Sequence, residues 1–338
     1  MKKYYVTEKL YNTRNVLIKE NRITGDTTNL EWVKYQMNYR FQNELKTQRK
    51  EIKNAGVFSS DKECKLLFKN GNTYILSIEE VQPKEPWEAR DILVALNNRN
   101  EGDWNKNMRD IQKKPEMQRS WLKLSNSPTC TLLDLNYPDS VKNSQHPPLV
   151  LYYKGDIDLL SKKSYVKLAV GMSREPDDKL FFKGMAAIRG LPKNVIIATS
   201  DKRIAEEAMA GSKPHKVILV KACGMNKQTP QIDVWIEMKV IQNGGVVVTP
   251  YPDETDPVPY RFAEKNMLMG AIADALLIVD LKPMSGTQIM VTSMLGLGKD
   301  IMVLPTLPEY KERINNDLIA EGAYLVENAK DIENILKL

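Results

Sequence analysis

Residues 260–305 decide the fold of this chain, and they read YRFAEKNMLMGAIADALLIVDLKPMSGTQIMVTSMLGLGKDIMVLP. Within them, residues 276–279 (Leu-Leu-Ile-Val) are too few and too uniformly apolar for a half-exposed strand, so they predict a strand buried on both faces. A segment long enough for a crossover helix follows each strand of this kind, which is the pattern of βαβ units. The stretch therefore predicts an α/β fold with a mostly parallel sheet and helices on both faces.

Similar short apolar runs recur through the second half of the chain. The predicted strands are residues 165–170, 195–199, 217–220, 246–249, 276–279 and 301–304. We expect them to form one mostly parallel sheet, with residues 276–279 away from its edges. Helices are predicted between the strands, including residues 202–210 and 230–242.

The composition is that of an ordinary globular protein. Of the 338 residues, 42% are hydrophobic and 27% are charged, which argues against a disordered chain. No apolar run approaches the roughly 20 residues of a membrane span, and the polar N-terminus lacks the apolar region of a signal peptide. The three cysteines and two histidines show no metal-ligand spacing. We therefore expect a reduced, cytoplasmic protein without a metal, a cofactor or a membrane partner.

The basic charge is concentrated in the first part of the chain. Residues 1–130 hold 24 Lys and Arg against 17 Asp and Glu, whereas residues 131–338 hold 25 against 26. The sequence Asn126-Ser127-Pro128 is typical of a boundary, so we predict a small basic α+β domain over residues 1–125 and the α/β domain over residues 126–338. The basic excess fits a polyanionic partner, and simple solubility explains it equally well.

Residues 1–125 contain signals for local structure but no recognised motif. A helix is predicted over residues 29–53, and Asn70-Gly71-Asn72 between two apolar runs predicts a β-hairpin. Helices are also predicted at residues 87–97 and 104–123, the latter with a break at Pro115. The tryptophans on these two helices are Trp87, Trp104 and Trp121. Such rings can stack on nucleic acid bases, but their helical spacing favours anchoring a small core.

Small and polar residues follow several of the predicted strands. Gly171, Ser173 and Arg174 close the strand at residues 165–170, and Ser285-Gly286-Thr287 opens a helix after residues 276–279. The carboxyl ends of parallel strands share one edge of a sheet, and ligands bind in the crevice outside it. Free N–H groups at a helix start, hydroxyl groups and an arginine favour a phosphate. Taken singly, an N-cap without a ligand or a surface turn explains the same residues.

The order of many short elements after residue 132 carries a family resemblance. They are Tyr137-Pro138, residues 147–152, Gly155-Asp156, residues 171–174, Phe262, Lys265-Asn266, Gly270, Ala273-Asp274, Ser285-Gly286-Thr287, Pro305, Asn316, Leu318-Ile319, Glu321-Gly322-Ala323 and residues 329–332. In this order and spacing they resemble the DNA-processing protein A (DprA, also called Smf) family, whose core is a Rossmann-like domain. The resemblance implies a Rossmann-like fold and single-stranded DNA binding, without hydrolysis of the DNA.

The resemblance, together with the strand ends, gives a set of predicted DNA- or phosphate-binding residues. They are Gly171, Ser173, Arg174, Ser200, Asp201, Arg261, Phe262, Lys265, Asn266, Ser285, Gly286 and Thr287. Arg174, Lys265 and the helix start at Ser285 would meet backbone phosphates, while Arg261, Tyr260 or Phe262 would meet bases or sugars. A core position for Phe262 and a solvated charge at Lys265 are the plainer alternatives.

The chain departs from the family pattern at three places. The family's glycine-rich loop is missing or shortened at Thr199-Ser200-Asp201, and Met172 puts Arg174 one place later than expected. The family's Arg-Asn-Arg reads Lys265-Asn266-Met267. Lysine keeps the charge of arginine but loses its bidentate fork, and methionine keeps neither. The resemblance therefore supports the fold more firmly than the family activity.

Three functions are compatible with the sequence. The resemblance implies a non-catalytic single-stranded DNA-binding protein of DNA uptake, transformation or recombination, which loads a RecA-type recombinase; whether the chain contacts a recombinase or forms a homodimer is left open. The alternative is a nucleotide-binding sensor or a nucleoside-phosphate-processing protein, although residues 284–290 offer no carboxylate for glycosidic chemistry. The third is a protein–protein module with a vestigial pocket.

Overall fold

The computed structural model describes residues 4–24, 28–80, 88–113, 115–306 and 313–338. The chain divides into two compact units, Met1–Pro86 and Trp87–Leu338. This division precedes the boundary expected after residue 125, because Asn97 and Asn98 are buried in the second unit, where both hydrogen-bond to Tyr152. Across the described ranges, no helix is long and apolar enough to cross a lipid bilayer.

The first unit is an antiparallel sheet with one long helix packed on it. Its described elements are β1 (Tyr4–Tyr11), β2 (Leu17–Arg22), α1 (Leu30–Thr47), β3 (Ile52–Ser59), β4 (Glu63–Phe68) and β5 (Thr73–Glu80). The strand order is β2-β1-β5-β4-β3, with antiparallel neighbours. Helix α1 buries Val33, Met37 and Phe41, which recur every four residues, in the core of this unit. The predicted α+β character is confirmed.

Two local predictions for this unit have different outcomes. The hairpin is confirmed, since β4 and β5 are antiparallel neighbours and Gly71 between them has a φ of 85°, which favours glycine. The helix predicted over residues 29–53 is wrong at its end, because α1 stops at Thr47 and Ile52 begins β3. Ile52 is buried and pairs with Phe68, so its place in the sheet outweighs local helix propensity.

The second unit alternates strands and helices. Its described helices are α2 (Ala89–Arg99), α3 (Trp104–Lys113), α4 (Asp139–Lys142), α5 (Asp178–Gly190), α6 (Lys202–Met209), α7 (Val234–Gln242), α8 (Pro259–Ile272), α9 (Thr287–Gly296), α10 (Ile314–Ala320) and α11 (Ala329–Leu336). Its described strands are β6 (Thr129–Thr131), β7 (Val150–Gly155), β8 (Val166–Met172), β9 (Val195–Thr199), β10 (Val217–Val220), β11 (Val246–Thr249), β12 (Ala275–Asp280), β13 (Asp300–Val303) and β14 (Tyr324–Leu325).

These strands form one sheet, in the order β14-β13-β12-β8-β9-β10-β11-β7-β6. Strands β8 to β14 run parallel to one another, and β7 is antiparallel to both of its neighbours, β11 and β6. The prediction of one mostly parallel sheet is confirmed. Strand β12, which contains residues 276–279, lies inside the sheet between β8 and β13.

Helices cover both faces of this sheet. Leu277 and Val279 of β12 belong to a core cluster with residues of α5, α6, α7 and α11, while Leu276 and Ile278 belong to a second cluster with residues of α4, α8 and α9. Successive side chains of a strand point to opposite faces, so a strand covered on both sides reads as an unbroken apolar run. The predicted Rossmann-like class is therefore confirmed.

The order of the strands reverses at β8. The chain first adds β9, β10 and β11 on one side of β8 and later adds β12, β13 and β14 on the other. In open α/β sheets, ligands bind outside the carboxyl ends of the strands at such a reversal. The ends of β8 and β12 are therefore the expected position of a ligand site.

One helix boundary predicted for this unit is wrong, and one predicted break is confirmed. Helix α7 starts at Val234 and not at residue 230, because the Asp233 side chain caps it by accepting a hydrogen bond from the Ile236 N–H. The same hydrogen bond lowers the pKa of Asp233. The helical stretch predicted over residues 104–123 is interrupted around Pro115, as expected: α3 stops at Lys113, and a separate 3-10 turn covers Arg119–Leu124.

The described tryptophans of the predicted helices make packing contacts within the second unit. The ring centroids of Trp104 and His146 lie 4.5 Å apart. The guanidinium of Arg99 lies 4.5 Å from the ring centroid of Trp121. Both rings are partly buried, as expected of residues that anchor a core. Trp87 lies outside the described residues.

Candidate functional site

A cavity of about 510 Å³ opens where β8, β9, β10 and β12 end. Its walls come from the segments after these strands and from one side of α8. Of the predicted binding residues, the cavity brings together Gly171, Ser173, Arg174, Ser200, Asp201, Phe262, Lys265, Asn266, Ser285, Gly286 and Thr287. The topology therefore joins at one edge of the sheet residues that are more than 100 positions apart in the chain.

Arg261 does not line this cavity, contrary to the expectation from the sequence. Its side chain is 4% exposed, and one guanidinium nitrogen lies 2.8 Å from a carboxylate oxygen of Glu101. The guanidinium also donates to the backbone carbonyl of Asp256 and lies over the ring of Tyr251. These contacts hold Arg261 as a structural link between two distant loops.

Gly171 has a packing role at the end of β8. A Cβ atom on this residue would lie 2.6 Å from Cγ2 of Thr287 and 2.8 Å from Cε of Met290. Real Cβ contacts are longer, so the glycine allows the first turns of α9 to approach β8 closely. The atoms that crowd Gly171 thus belong to α9.

Ser173 joins the ends of β8 and β12. It is 5% exposed, its backbone N–H donates to the Asp280 carbonyl at 2.8 Å, and its hydroxyl oxygen accepts from the Lys282 N–H at 2.8 Å. The Thr287 hydroxyl adds a hydrogen bond to the Met172 carbonyl at 3.3 Å. Ser173 thus fixes the loop after β12 in addition to lining the cavity.

The start of α9 faces the cavity. Thr287 is the first helical residue, and Gly286 precedes it as the N-cap. Asn266 of α8 donates a hydrogen bond to the Gly286 carbonyl at 2.7 Å, which holds this turn in place. The first N–H groups of a helix lack intrahelical partners and carry the positive end of its dipole. Here Ser285 accepts from the Thr287 N–H through its hydroxyl at 3.3 Å and from the Gln288 N–H through its carbonyl at 3.0 Å. The positive end of the helix dipole is therefore what this wall of the cavity offers an anion.

Lys265 places a cation deep in the cavity. It is 8% exposed, and its ammonium nitrogen donates to the Ser200 hydroxyl at 2.5 Å. Burial lowers the pKa of Lys265 to about 8; nearby Arg174 acts in the same direction, and Asp201 opposes them. The solvated position that the sequence left open for Lys265 is therefore not what the fold provides. Its burial and low pKa describe a cation that lacks a full counter-charge.

The other charged side chains around the cavity differ in whether they are already paired within the protein. Asp201 accepts from the Arg203 N–H as the cap of α6, and its second oxygen lies 2.7 Å from the Arg203 guanidinium. Arg174 and Glu175 are exposed at the rim, and Lys282 is partly exposed. Because Arg203 offsets the Asp201 carboxylate, positive charge outweighs negative charge at this opening.

Phe262 lies on the cavity wall and is partly exposed, so it is not the core residue of the alternative interpretation. Its ring centroid is 5.9 Å from the Lys265 ammonium nitrogen. An aromatic face beside a cation is an arrangement that can take a base or sugar next to a phosphate.

The sequence missed Gln231 and Lys282 as lining residues. Gln231 falls in a segment predicted to be helical, but it precedes α7 and lies over the strand ends. Its buried side-chain oxygen has no hydrogen-bond partner within the described part of the chain. A buried acceptor of this kind is satisfied when a donor binds. The helix-capping residue Asp233 was the signal that could have placed Gln231 in a loop.

In the parts of the chain that the structure describes, no group of three or more His, Cys, Asp or Glu side chains is arranged to hold a metal ion. The donors around the cavity are instead ammonium, guanidinium, hydroxyl and backbone N–H groups. Donors of this kind suit an anion such as a phosphate.

Several curated proteins are similar to this chain over its second part. The DNA processing protein DprA of Streptococcus pneumoniae is 24% identical over 209 residues, which are 61% of this chain and 73% of that protein. DprA of Bacillus subtilis is 24% identical over 216 residues, 60% of this chain and 69% of the relative. Protein Smf of Escherichia coli is 24% identical over 232 residues, 66% of this chain and 61% of the relative.

Two solved structures share the fold. The structure of DprA from Streptococcus pneumoniae has a TM-score of 0.57 and 22% identity, and the match covers 68% of this chain and 80% of that one. DprA from Helicobacter pylori, described for its unique single-stranded DNA binding mode, has a TM-score of 0.54 and 22% identity over 62% of this chain and 96% of that one. The model of the DNA recombination-mediator protein A family matches residues 129–337, so this chain belongs to that family.

Proposed function

We propose that this protein binds single-stranded DNA, and that the cavity at the ends of β8 and β12 holds the sugar–phosphate backbone of the strand. The observation that carries the proposal is the convergence of Arg174, Lys265 and the start of α9 on one opening. The described binding mode of the Helicobacter pylori relative supports the same ligand class. The role is that of a DNA-processing protein in DNA uptake or recombination.

A phosphate in the cavity would meet three kinds of donor. Arg174 is exposed and offers a planar fork that matches phosphate oxygens. Lys265 would give its ammonium group, which donates to the Ser200 hydroxyl in the free protein. The Gly286 N–H would complete the contact, together with the Thr287 N–H once it exchanges its 3.3 Å hydrogen bond to the Ser285 hydroxyl for one to the phosphate. Contacts of this kind position a strand but carry no base sequence information, so we expect weak sequence preference.

Groups beside these donors would contact the rest of the nucleotide. The partly exposed ring of Phe262 would stack on a base or pack against a sugar. The unpaired oxygen of Gln231 would accept from a base amino group. We propose no chemistry on the DNA, because of the two lining carboxylates Asp201 is held by the α6 backbone and by Arg203, and Glu175 lies exposed at the rim. Strands recovered after incubation should keep their length on a denaturing gel.

Further partners are proposed on the strength of the family. We propose that a RecA-type recombinase assembles faster on single-stranded DNA when this protein is present, and that two copies of the chain act together. Unchanged assembly kinetics would exclude the first, and a monomeric mass by light scattering at working concentration would exclude the second. We also propose that the second domain, from residue 126 onward, carries the binding cavity, and that the basic region before it strengthens binding.

The proposal predicts the effect of removing both cavity cations. Replacing Arg174 and Lys265 together by Ala should weaken binding of a fluorescein-labelled oligo-dT strand by about a hundredfold or more, since each charge-assisted contact contributes roughly 1.5–3 kcal/mol. The slope of log affinity against log salt should also flatten by about 1.4, because roughly 0.7 counterions are released per phosphate contact on a single strand. Fluorescence anisotropy over a salt series measures both quantities.

A matched control removes the same charge elsewhere. Lys163 and Lys193 are exposed and precede β8 and β9, at the opposite edge of the sheet. Their double Ala variant should bind within about threefold of the unchanged protein, which is less than 1 kcal/mol. A cavity variant that also binds within threefold, with an unchanged melting temperature, would falsify the site. Binding of a mononucleotide with no binding of the strand would favour the nucleotide-sensor alternative.

A further inference from the structure

Helix α1 carries exposed aromatic rings on the face opposite to its buried side. Val33, Met37 and Phe41 point into the core of the first unit. On the solvent side, Trp32 is 43% exposed, Tyr35 is 62% exposed and Tyr39 is 58% exposed. The solvent face of such a helix is ordinarily polar, since apolar residues follow the buried stripe. Three neighbouring exposed rings on the solvent face of a helix are typical of a surface that binds a partner.

The rings share one line along the helix. Positions 32, 35 and 39 are three and four residues apart, so they fall on the same face. The centroids of Tyr35 and Tyr39 are 6.3 Å apart, with their planes inclined by only 20°. Lys46 follows on this face seven residues after Tyr39 and is exposed. We call Trp32, Tyr35, Tyr39 and Lys46 the α1 stripe.

The charges around the α1 stripe favour a polyanion. The nearby carboxylates are already paired: Glu31 lies 3.1 Å from the Lys34 ammonium, and Glu44 lies 3.4 Å from Arg40. The residues between the rings and Lys46 on the same face are the neutral amides Gln42 and Asn43. Over residues 1–86 the chain holds 16 Lys and Arg against 11 Asp and Glu. A basic protein surface with aromatic rings and amides is suited to bases and phosphates together.

We propose that the α1 stripe is a second contact for single-stranded nucleic acid, in which the three rings stack on bases and Lys46 meets a phosphate. The inference rests on the proposed function, because it takes the same ligand. Every base has a π-face, so this contact also tolerates any sequence. A strand long enough to occupy both the cavity and the stripe gains affinity from the linkage of two contacts on one protein.

The test measures the full chain against labelled oligo-dT of about 40 nucleotides, several times the roughly 4–16 nucleotides that one binding fold occupies. Changing Tyr35 and Tyr39 together to Ala should weaken binding by about tenfold or more, as expected when base stacking is removed. The salt slope should stay unchanged, because no charge is lost. Lys46→Ala should instead flatten the slope by about 0.7.

Three further variants separate stacking from other effects. The conservative pair Tyr35→Phe and Tyr39→Phe keeps the rings and should bind as the unchanged protein does. Trp235→Ala removes a 62% exposed ring from α7 of the other unit and should also leave binding unchanged. Saturation with the strand should quench tryptophan fluorescence, and Trp32→Phe should remove most of this signal.

Each outcome decides the inference. Loss of affinity in the stripe variant, with retention in the Phe pair, supports it. If the cavity variant of Arg174 and Lys265 loses binding while the stripe variant binds within about threefold, the α1 stripe is not a nucleic acid contact and the proposed function stands. If the unchanged protein binds no strand, both proposals fail. If the stripe variant changes only the mass measured by light scattering, the stripe is an interface between copies of the chain and the inference is overturned.

Discussion

At the scale of single residues, Lys265 is the group whose chemistry differs most from that of an isolated side chain. Its ammonium is buried beside a hydroxyl, and its pKa is lowered to about 8, whereas an unperturbed lysine has a pKa near 10.4. A buried cation whose charge is only partly offset, here by Asp201, favours the binding of an anion. A bound phosphate would favour the charged form and raise the pKa again.

The low pKa of Lys265 predicts a pH dependence of DNA binding. Below pH 8 the free protein already carries the proton, so affinity should be nearly constant. Above pH 8 the free protein loses a proton that the complex retains, so affinity should fall by up to about tenfold per pH unit until the pKa of the complex is reached. Anisotropy titrations of a labelled strand in buffers spaced through this range measure the effect.

Lys265→Arg is the matched variant for this experiment, because a guanidinium stays charged throughout the range. Its affinity should show no comparable fall above pH 8. An identical pH profile for the arginine variant and the unchanged protein would mean that another group titrates. The site would then keep Lys265 as a contact but not as the source of the pH dependence.

The positions of some individual side chains could not be predicted from the sequence. Arg261 and Lys265 are four residues apart on α8 and share a face by periodicity, yet only Lys265 lines the cavity. The reason is Glu101, which binds Arg261 from a position 160 residues earlier in the chain. No local pattern contains a contact of this separation. Gln231 was missed for a related reason, because its loop was read as part of a helix.

At the scale of elements, the contact between β8 and α9 shapes the cavity. Gly171 on the strand and Thr287 on the helix approach so closely that an added methyl group has no room. This contact sets the position of the helix start that faces the proposed phosphate.

This contact predicts the effect of adding one carbon atom. Gly171→Ala should lower the free energy of unfolding by about 1–3 kcal/mol, because overpacking forces the helix start or the strand to shift. Thr287→Ser removes the methyl group at 2.6 Å and should recover part of the loss in the double variant. Urea denaturation of the two single variants and the double variant measures the coupling. Additive effects would show that Gly171 and Thr287 do not share this constraint.

The strands were easier to predict from the sequence than the helix ends. Residues 276–279 are apolar at every position because both faces of β12 are covered, and that burial is visible in composition alone. The end of α1 was not visible, since Ile52 joins β3 through pairing with Phe68 in the next strand along the chain. Helix boundaries depend on such tertiary contacts, whereas a buried strand can be predicted from its unbroken run of apolar residues.

At the scale of the whole molecule, two compact units have different chemistry. The first combines a basic balance with the exposed rings of α1, and the second holds the cavity. Sequence composition revealed the charge difference and the α/β class of the second unit. It placed the boundary after residue 125, close to residue 129, where the family match begins. The compact second unit begins earlier, at Trp87, because α2 packs within it.

The packing of α2 predicts that two truncations differ in stability. A chain lacking residues 1–86 should unfold cooperatively, because the second unit keeps its own core. A chain lacking residues 1–125 loses Asn97 and Asn98, which hydrogen-bond to the buried Tyr152 hydroxyl, and should melt at a markedly lower temperature or not at all. Circular dichroism melting curves compare the two. Equal melting temperatures would show that α2 and α3 are dispensable.

Ser173 hydrogen-bonds to Asp280 and Lys282 at the end of β12, and this long-range contact has a consequence for the nascent chain. On the ribosome β8 is made early, but its neighbour β12 ends 108 residues later, at Asp280. At about 5–20 residues per second this gap lasts roughly 5–20 s, during which one edge of β8 lacks its partner strand and can pair with other chains. The wall of the cavity is incomplete until Thr287 has emerged from the ribosome. A partly translated chain therefore lacks the proposed DNA-binding cavity, however well its first strands have folded.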